Sequence, residues 1–178
     1  MAYWARLIRN PSGWIGLPPD IAPDAIPLTV LADLSDKDGR VSVWLVDDVD
    51  ASLLRVAAAL QSKDKAPAKT TFRVMERTRL TALGIDEPIK TEGKSLDQVL
   101  NNEYHYILQL LTNGQATKVA QAFLELDETP FIQAAVVDEM LQSVRLGRIA
   151  IKEFGHELCR WLVREGKLCP IPLGQDGA

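Results

Sequence analysis

A change of hydrophobic period constrains this chain more than any other feature. Before about Gly84, apolar residues alternate in short runs bounded by turns; from Ser95 they recur at helical spacing almost to the C-terminus. Two patterns of that kind in one chain predict an α+β protein: a small sheet containing an antiparallel hairpin, with one helix, followed by a C-terminal bundle of about four helices.

The first half supplies the strands. Tyr3 to Arg9 predicts a short strand, and the segment 10–27, rich in Pro and Gly, predicts an extended arm, because fixed φ angles and missing N–H donors exclude ladders and helices. Leu28 to Leu34 and Arg40 to Val46 flank Asp38-Gly39 and predict a β-hairpin, with Leu34 opposite Val43 and Ala32 opposite Leu45. One face of that hairpin is wholly apolar. The other carries Leu31, Asp33, Ser42, Trp44 and Val46, only half polar, which implies that something covers it too. Asp47, Asp48 and Asp50 precede a helix from Ala51 to Leu60, with carboxylates at its positive end. Thr70 to Met75 predicts a third strand, and Glu76 to Leu83 fits either its continuation or a short helix.

The second half supplies the helices. Ser95 and Gln98 have capping-box spacing and predict a helix whose stripe includes Leu96, Leu100, Ile107 and Leu111, stopped at Asn113-Gly114. Further helices are expected at Gln115 to Leu126, at Pro130 to Leu146 with Thr129 as N-cap, and at about Arg148 to Glu165 with Gly155 buried mid-helix. The expected organisation is a β-rich subdomain over 1–84, a junction over 85–94, a helical bundle over 95–168 and a tail over 169–178.

Composition excludes several classes of function. The 178 residues are 47% hydrophobic and 25% charged, enough to build a core and too apolar for a disordered chain. The net charge is −4, and neither side of residue 92 is a basic module, so counterion-driven nucleic-acid binding is disfavoured. No stretch approaches the ~20 apolar residues of a membrane span. The start, Met1 to Arg6, lacks a signal-peptide pattern, which predicts a cytoplasmic setting and free thiols at Cys159 and Cys169.

No motif has the residue types and spacing that a particular reaction demands. His105, His156, Cys159 and Cys169 are the only His and Cys residues, and they lack the turn-borne spacing of a zinc site, so no metal or other cofactor is expected. Asp33, Asp47 and Asp48 are candidate ligands for a metal-dependent phosphoesterase or nuclease, with helix capping the competing role for Asp47 and Asp48. Arg145, Arg148, Lys152, Arg160 and Arg164, with Arg73, Arg77 and Arg79, form the weaker case for a helical nucleic-acid binder, diluted by Glu153, Glu157 and Glu165. The residues least like ordinary loop are those of the arm and its neighbours. Trp4, Trp14, Leu17, Pro18, Pro19 and Ile21 combine tryptophan, enriched at interfaces, with backbone that cannot join regular structure. The preferred expectation is a non-enzymatic interaction or accessory protein that binds a protein partner or a second copy of itself through these residues.

Overall fold

The computed structural model describes residues 1–34, 36, 38–62, 65–110 and 112–168. In chain order the strands are β1 (Tyr3–Leu7), β2 (Arg40–Val46), β3 (Thr70–Glu76), β4 (Ile89–Lys90), β5 (His105–Gln109) and β6 (Thr129–Phe131). The helices are α1 (Leu28–Leu34), α2 (Ala51–Ala59), α3 (Arg79–Ala82), α4 (Gln98–Glu103), α5 (Asn113–Leu124), α6 (Gln133–Arg145) and α7 (His156–Arg164). The strands form one six-stranded sheet in the order β4-β5-β2-β1-β3-β6, antiparallel at every pairing. The protein is therefore α+β, and the sheet draws strands from both halves of the chain.

Successive side chains of the sheet point to opposite faces, and helices cover both. On one face Trp4, Ile8, Val41, Val43 and Met75 pack under the arm, α1 and α5, where Trp14, Val30, Leu34, Val119 and Phe123 close the core. On the other, Ala5, Trp44, Val46, Phe72 and Val74 pack under α2 and α6 through Leu53, Val56 and Val136. An outer layer, Val137, Met140, Leu158 and Leu162, joins α6 to α7. The half-polar face of β2 is indeed covered.

Several expectations are corrected. Leu28–Leu34 is helical rather than the first arm of a hairpin: Val30 N and Leu31 N both bond to Pro27 O, Val30, Asp33 and Leu34 turn inward, and Leu28 is exposed. Spacings of three and four residues outweigh the apparent alternation. Asp38-Gly39 still turns the chain into β2. Asp36 Oδ1 accepts the N–H groups of Asp38 and Arg40, and Gly39, at φ +72°, passes so close to Leu110 that a Cβ would lie 2.3 Å from its carbonyl oxygen. The strand it starts pairs with β1 and β5 instead of 28–34.

The expected bundle is likewise interrupted. His105–Gln109 is strand rather than the second half of a helix, in keeping with its aromatic and β-branched content. The preceding helix, α4, is capped by Asp97 instead of Ser95, its Oδ1 accepting from Val99 N and Leu100 N at 3.0 and 3.1 Å. Asn113-Gly114 opens α5, behind a capping box of Thr112 and Gln115, rather than closing a helix. Thr129-Pro130 lies in β6, an edge strand that tolerates proline, so α6 begins only at Gln133. Gly155 is the N-cap of α7 instead of a mid-helix contact. Residues 85–94, expected as a junction, contain β4 at the sheet edge. The undecided stretch 76–83 resolves into the end of β3 and α3. The tail 169–178 lies outside the described residues.

The arm is clamped to the sheet through Trp14. Its indole Nε1 donates to Asp33 Oδ2 at 3.0 Å and its carbonyl accepts from Arg73 Nη2 at 3.5 Å, while its ring is wholly buried. Replacing Trp14 with alanine should lower the unfolding free energy by about 3–5 kcal/mol in urea melts, the usual loss for a buried aromatic. A change below ~1 kcal/mol would contradict this clamped packing.

Candidate functional site

The residues expected to bind a partner fall into two groups. Trp4, Trp14 and Ile21 are buried within the monomer, Trp4 against the edge of the Tyr106 ring. Leu17 is half-buried, and Pro18 and Pro19 are exposed. A partner can therefore reach only the outer side of the arm, where Ile15 is 66% exposed.

The three candidate metal ligands are not brought together. Asp33 Oδ1 accepts from Arg9 N, and its Oδ2 accepts from Asn10 N and the Trp14 indole, at 3.1, 3.3 and 3.0 Å. Asp48 Oδ1 takes the N–H groups of Asp50 and Ala51 at the start of α2. Asp47 is exposed beyond the far end of β2, roughly 16 Å along the strand from Ser42 at about 3.3 Å per residue, whereas Asp33 shares Arg6 with Ser42. Among the described residues no three His, Cys, Asp or Glu side chains converge on a metal-sized site. His156 Nδ1 meets Arg160 instead, and Cys159 Sγ meets the Phe154 carbonyl at 3.9 Å; Cys169 lies outside the described residues. Of the basic set, Arg73, Arg77 and Arg79 are ion-paired with Glu128, Glu87 and Glu125, and Arg160 with Glu157.

A different constellation forms where β1 parts from β2. The β1–β2 register runs from Tyr3–Val46 to Ala5–Trp44, whereas β1 stays beside β3 through Leu7. Arg6 reaches across the parting, donating from Nη1 to Ser42 O at 3.0 Å and from Nη2 to Asp33 O at 2.8 Å. Beside it lies a pocket of about 220 Å³ lined by Arg6, Arg9, Asp36, Arg40, Ser42 and Ile107. Three arginines and one aspartate thus line it. That carboxylate, Asp36, is held below the usual range first by the Arg40 N–H, and it also pairs with the Arg40 side chain at 3.0 Å. Arg40 reaches Asp38 as well, also at 3.0 Å. Arg9 is exposed and has no ion-pair partner among the described residues. Arg6 is 5% exposed; burial, and then the nearby charge of Arg9, push its pKa down to about 10, which leaves it charged at neutral pH.

The pocket also contains a hydroxyl joined to a histidine. Ser42 Oγ lies 2.7 Å from His105 Nε2, and His105 Nδ1 lies 3.3 Å from Thr91 O and 3.0 Å from Thr91 Oγ1. A backbone carbonyl only accepts, so Nδ1 carries the ring proton and Nε2 accepts from the Ser42 hydroxyl. The ring is fixed by the edge of Trp44, at a centroid distance of 4.9 Å, and by Gly93, where a Cβ would lie 3.1 Å from His105 Cγ. Burial lowers the His105 pKa, which favours the neutral base.

Helical spacing over 96–111 places His105 on a helix, which leaves it unconnected to Ser42 in the sequence. The available signal was alternation: His105, Ile107 and Gln109 fall on one side of a strand, and an antiparallel register brings the first two onto the Ser42 side of the sheet.

His105 should register in the pH dependence of stability. Its folded pKa lies below the unfolded value near 6.5, so below pH ~6.5 the unfolded chain binds more protons and stability falls with acidification until the folded pKa is passed. Urea melts from pH 7.5 to 5 should show His105→Gln losing up to ~1.4 kcal/mol per pH unit of that slope; an unchanged slope would contradict a buried neutral ring. Comparison with family models, with curated proteins and with solved structures finds no match, so the pocket has to be judged by its own geometry.

Proposed function

We propose that the protein is a binding or accessory protein that recognises a small anion, a short dicarboxylate or a phosphate-sized group, in the pocket between β1 and the start of β2. The observation that carries this reading is Arg9 beside the buried Arg6 at the pocket: Arg40 is paired with Asp36 and Asp38, whereas Arg9 has no ion-pair partner among the described residues. Arg6 is held rigid by two carbonyls. A pocket of about 220 Å³ suits a group of several heavy atoms rather than a drug-sized ligand. Guanidinium groups bind carboxylate and phosphate by charge-assisted hydrogen bonds.

Isothermal titration with succinate and with inorganic phosphate at low ionic strength tests this. Saturable binding to one site should weaken about 10–100-fold in Arg9→Ala, as loss of a hydrogen bond to a charged group predicts. Equal affinity in Arg9→Ala and the unmodified chain, or no saturable binding, would overturn it.

A second reading, binding of a protein partner or a second copy, is favoured by the outer side of the arm. Gly13 lies against Thr29, which places the arm beside the start of α1, and Ile15 and Leu28 are 66% and 81% exposed. Under this reading, sedimentation should show self-association that Leu28→Asp weakens at least tenfold while the urea midpoint stays unchanged, since Leu28 is outside the core. A monomer at all concentrations would remove the second-copy version.

A further inference from the structure

The hydroxyl at the edge of the arginine pocket does more than line it. Ser42 Oγ donates to a histidine nitrogen at 2.7 Å, and the opposite nitrogen of that ring is tied to the Thr91 carbonyl and hydroxyl, so tautomer and orientation are both set. A nucleophile, a base and a group that orients the base are the three parts of an activated hydroxyl. Ser42 is half-buried and borders the pocket, so a molecule held there is within reach of its oxygen. Arg6 donates to the carbonyl of the same residue at 3.0 Å, which places a positive charge beside Ser42.

We propose that Ser42 is a catalytic nucleophile, with His105 as its general base, for esters of small acids that carry a second anionic group. This rests on the anion-binding reading above: Arg9, at the pocket and without an ion-pair partner among the described residues, would hold the free carboxylate of the acyl group while the ester carbonyl faces Ser42. Ser42 Oγ attacks that carbonyl, forming the Oγ–C bond, as its proton passes to His105 Nε2. The ester C–O bond then breaks, and the leaving alkoxide takes the proton from His105. Water, deprotonated by the same nitrogen, attacks the acyl-serine; the Oγ–C bond breaks, Ser42 recovers its proton and the free acid leaves. Atoms and charge balance with water as the only co-reactant.

The purified full chain is incubated with 4-nitrophenyl hemisuccinate and, separately, with the neutral 4-nitrophenyl acetate. Nitrophenolate release is followed by absorbance and the acylated residue by peptide mass mapping. The hemisuccinate should acylate Ser42, with release at least ~100-fold slower in Ser42→Ala and in His105→Gln. Arg9→Ala should remove the preference for hemisuccinate over acetate. Thermal melts and succinate titration of Ser42→Ala show whether that variant is folded with an intact pocket, and Ser42→Cys, which keeps a nucleophile at the position, should still be acylated. Acylation confined to lysines, or equal rates in the unmodified chain and Ser42→Ala, overturns the nucleophile. If succinate still binds in that case, the anion reading survives alone. Acylation of Ser42 with no preference for the anionic ester overturns the proposed substrate class.

Discussion

The carboxylate of Asp33 is the interaction on which most of one sheet face depends. It accepts from two backbone N–H groups at the exit of β1 and from the indole of Trp14, and its own carbonyl accepts from Arg6. One residue of α1 thus ties together the end of the central strand, the start of the arm and the buried arginine. A buried carboxylate without such partners would cost several kcal/mol; with three N–H donors it becomes the means by which a Pro-rich segment, unable to join a ladder, is fixed in place. The arm has few backbone hydrogen bonds beyond its local turns, such as Trp14 N to Pro11 O and Ile21 N to Pro18 O. Side-chain clamps take over the role that a ladder plays elsewhere.

Arg6 and Arg73 show how the same region accommodates like charges. The two are directly opposed in the β1–β3 register, an arrangement that ordinarily repels. They separate by reaching in different directions. Arg6 bridges Ser42 O and Asp33 O, whereas Arg73 reaches Leu126 O, Trp14 O and the Glu128 carboxylate. Each guanidinium is paired with backbone carbonyls, those of Ser42 in β2 and Asp33 in α1 for Arg6 and those of Leu126 and Trp14 for Arg73. The arginines are therefore part of the fold before they are part of any site.

The sequence was most legible where one period dominated. β1, β2, α2 and β3 lie where alternation and capping placed them, and the inward sides of α5 and α7 follow their stripes. It failed where two periods fit the same residues. In Leu28–Leu34, apolar residues at 28, 30, 31 and 34 satisfy both a strand and a short helix, and packing against the arm and α5 decides for the helix. In 96–111 a strong capping signal drew a helix across the whole run, although α4 ends after Glu103 and the chain then pairs with β2. Local signals fix neither choice, because in both places the competing structures differ in long-range partners. The pocket was illegible for the same reason. Ser42 and His105 are 63 residues apart, and only the β2–β5 register relates them.

Register also explains why polar chemistry gathers at one end of the sheet. Along β2 the side facing α2 passes from Ser42 through Trp44 to Val46; Trp44 and Val46 are covered, while Ser42 and its neighbour Ile107 are left partly open. At that open end β1 has already left β2, so the strand start bordering the parting presents the Ser42 carbonyl to Arg6 instead of to a ladder partner. Burying His105 under Trp44 keeps it neutral, and the adjacent opening lets the hydroxyl it accepts from meet solvent. A fully covered sheet would have made the Ser42–His105 hydrogen bond another cross-strand contact. A fully open one would have let water compete for it. The intermediate position, dry on the histidine side and open on the serine side, follows from the place where two strands part.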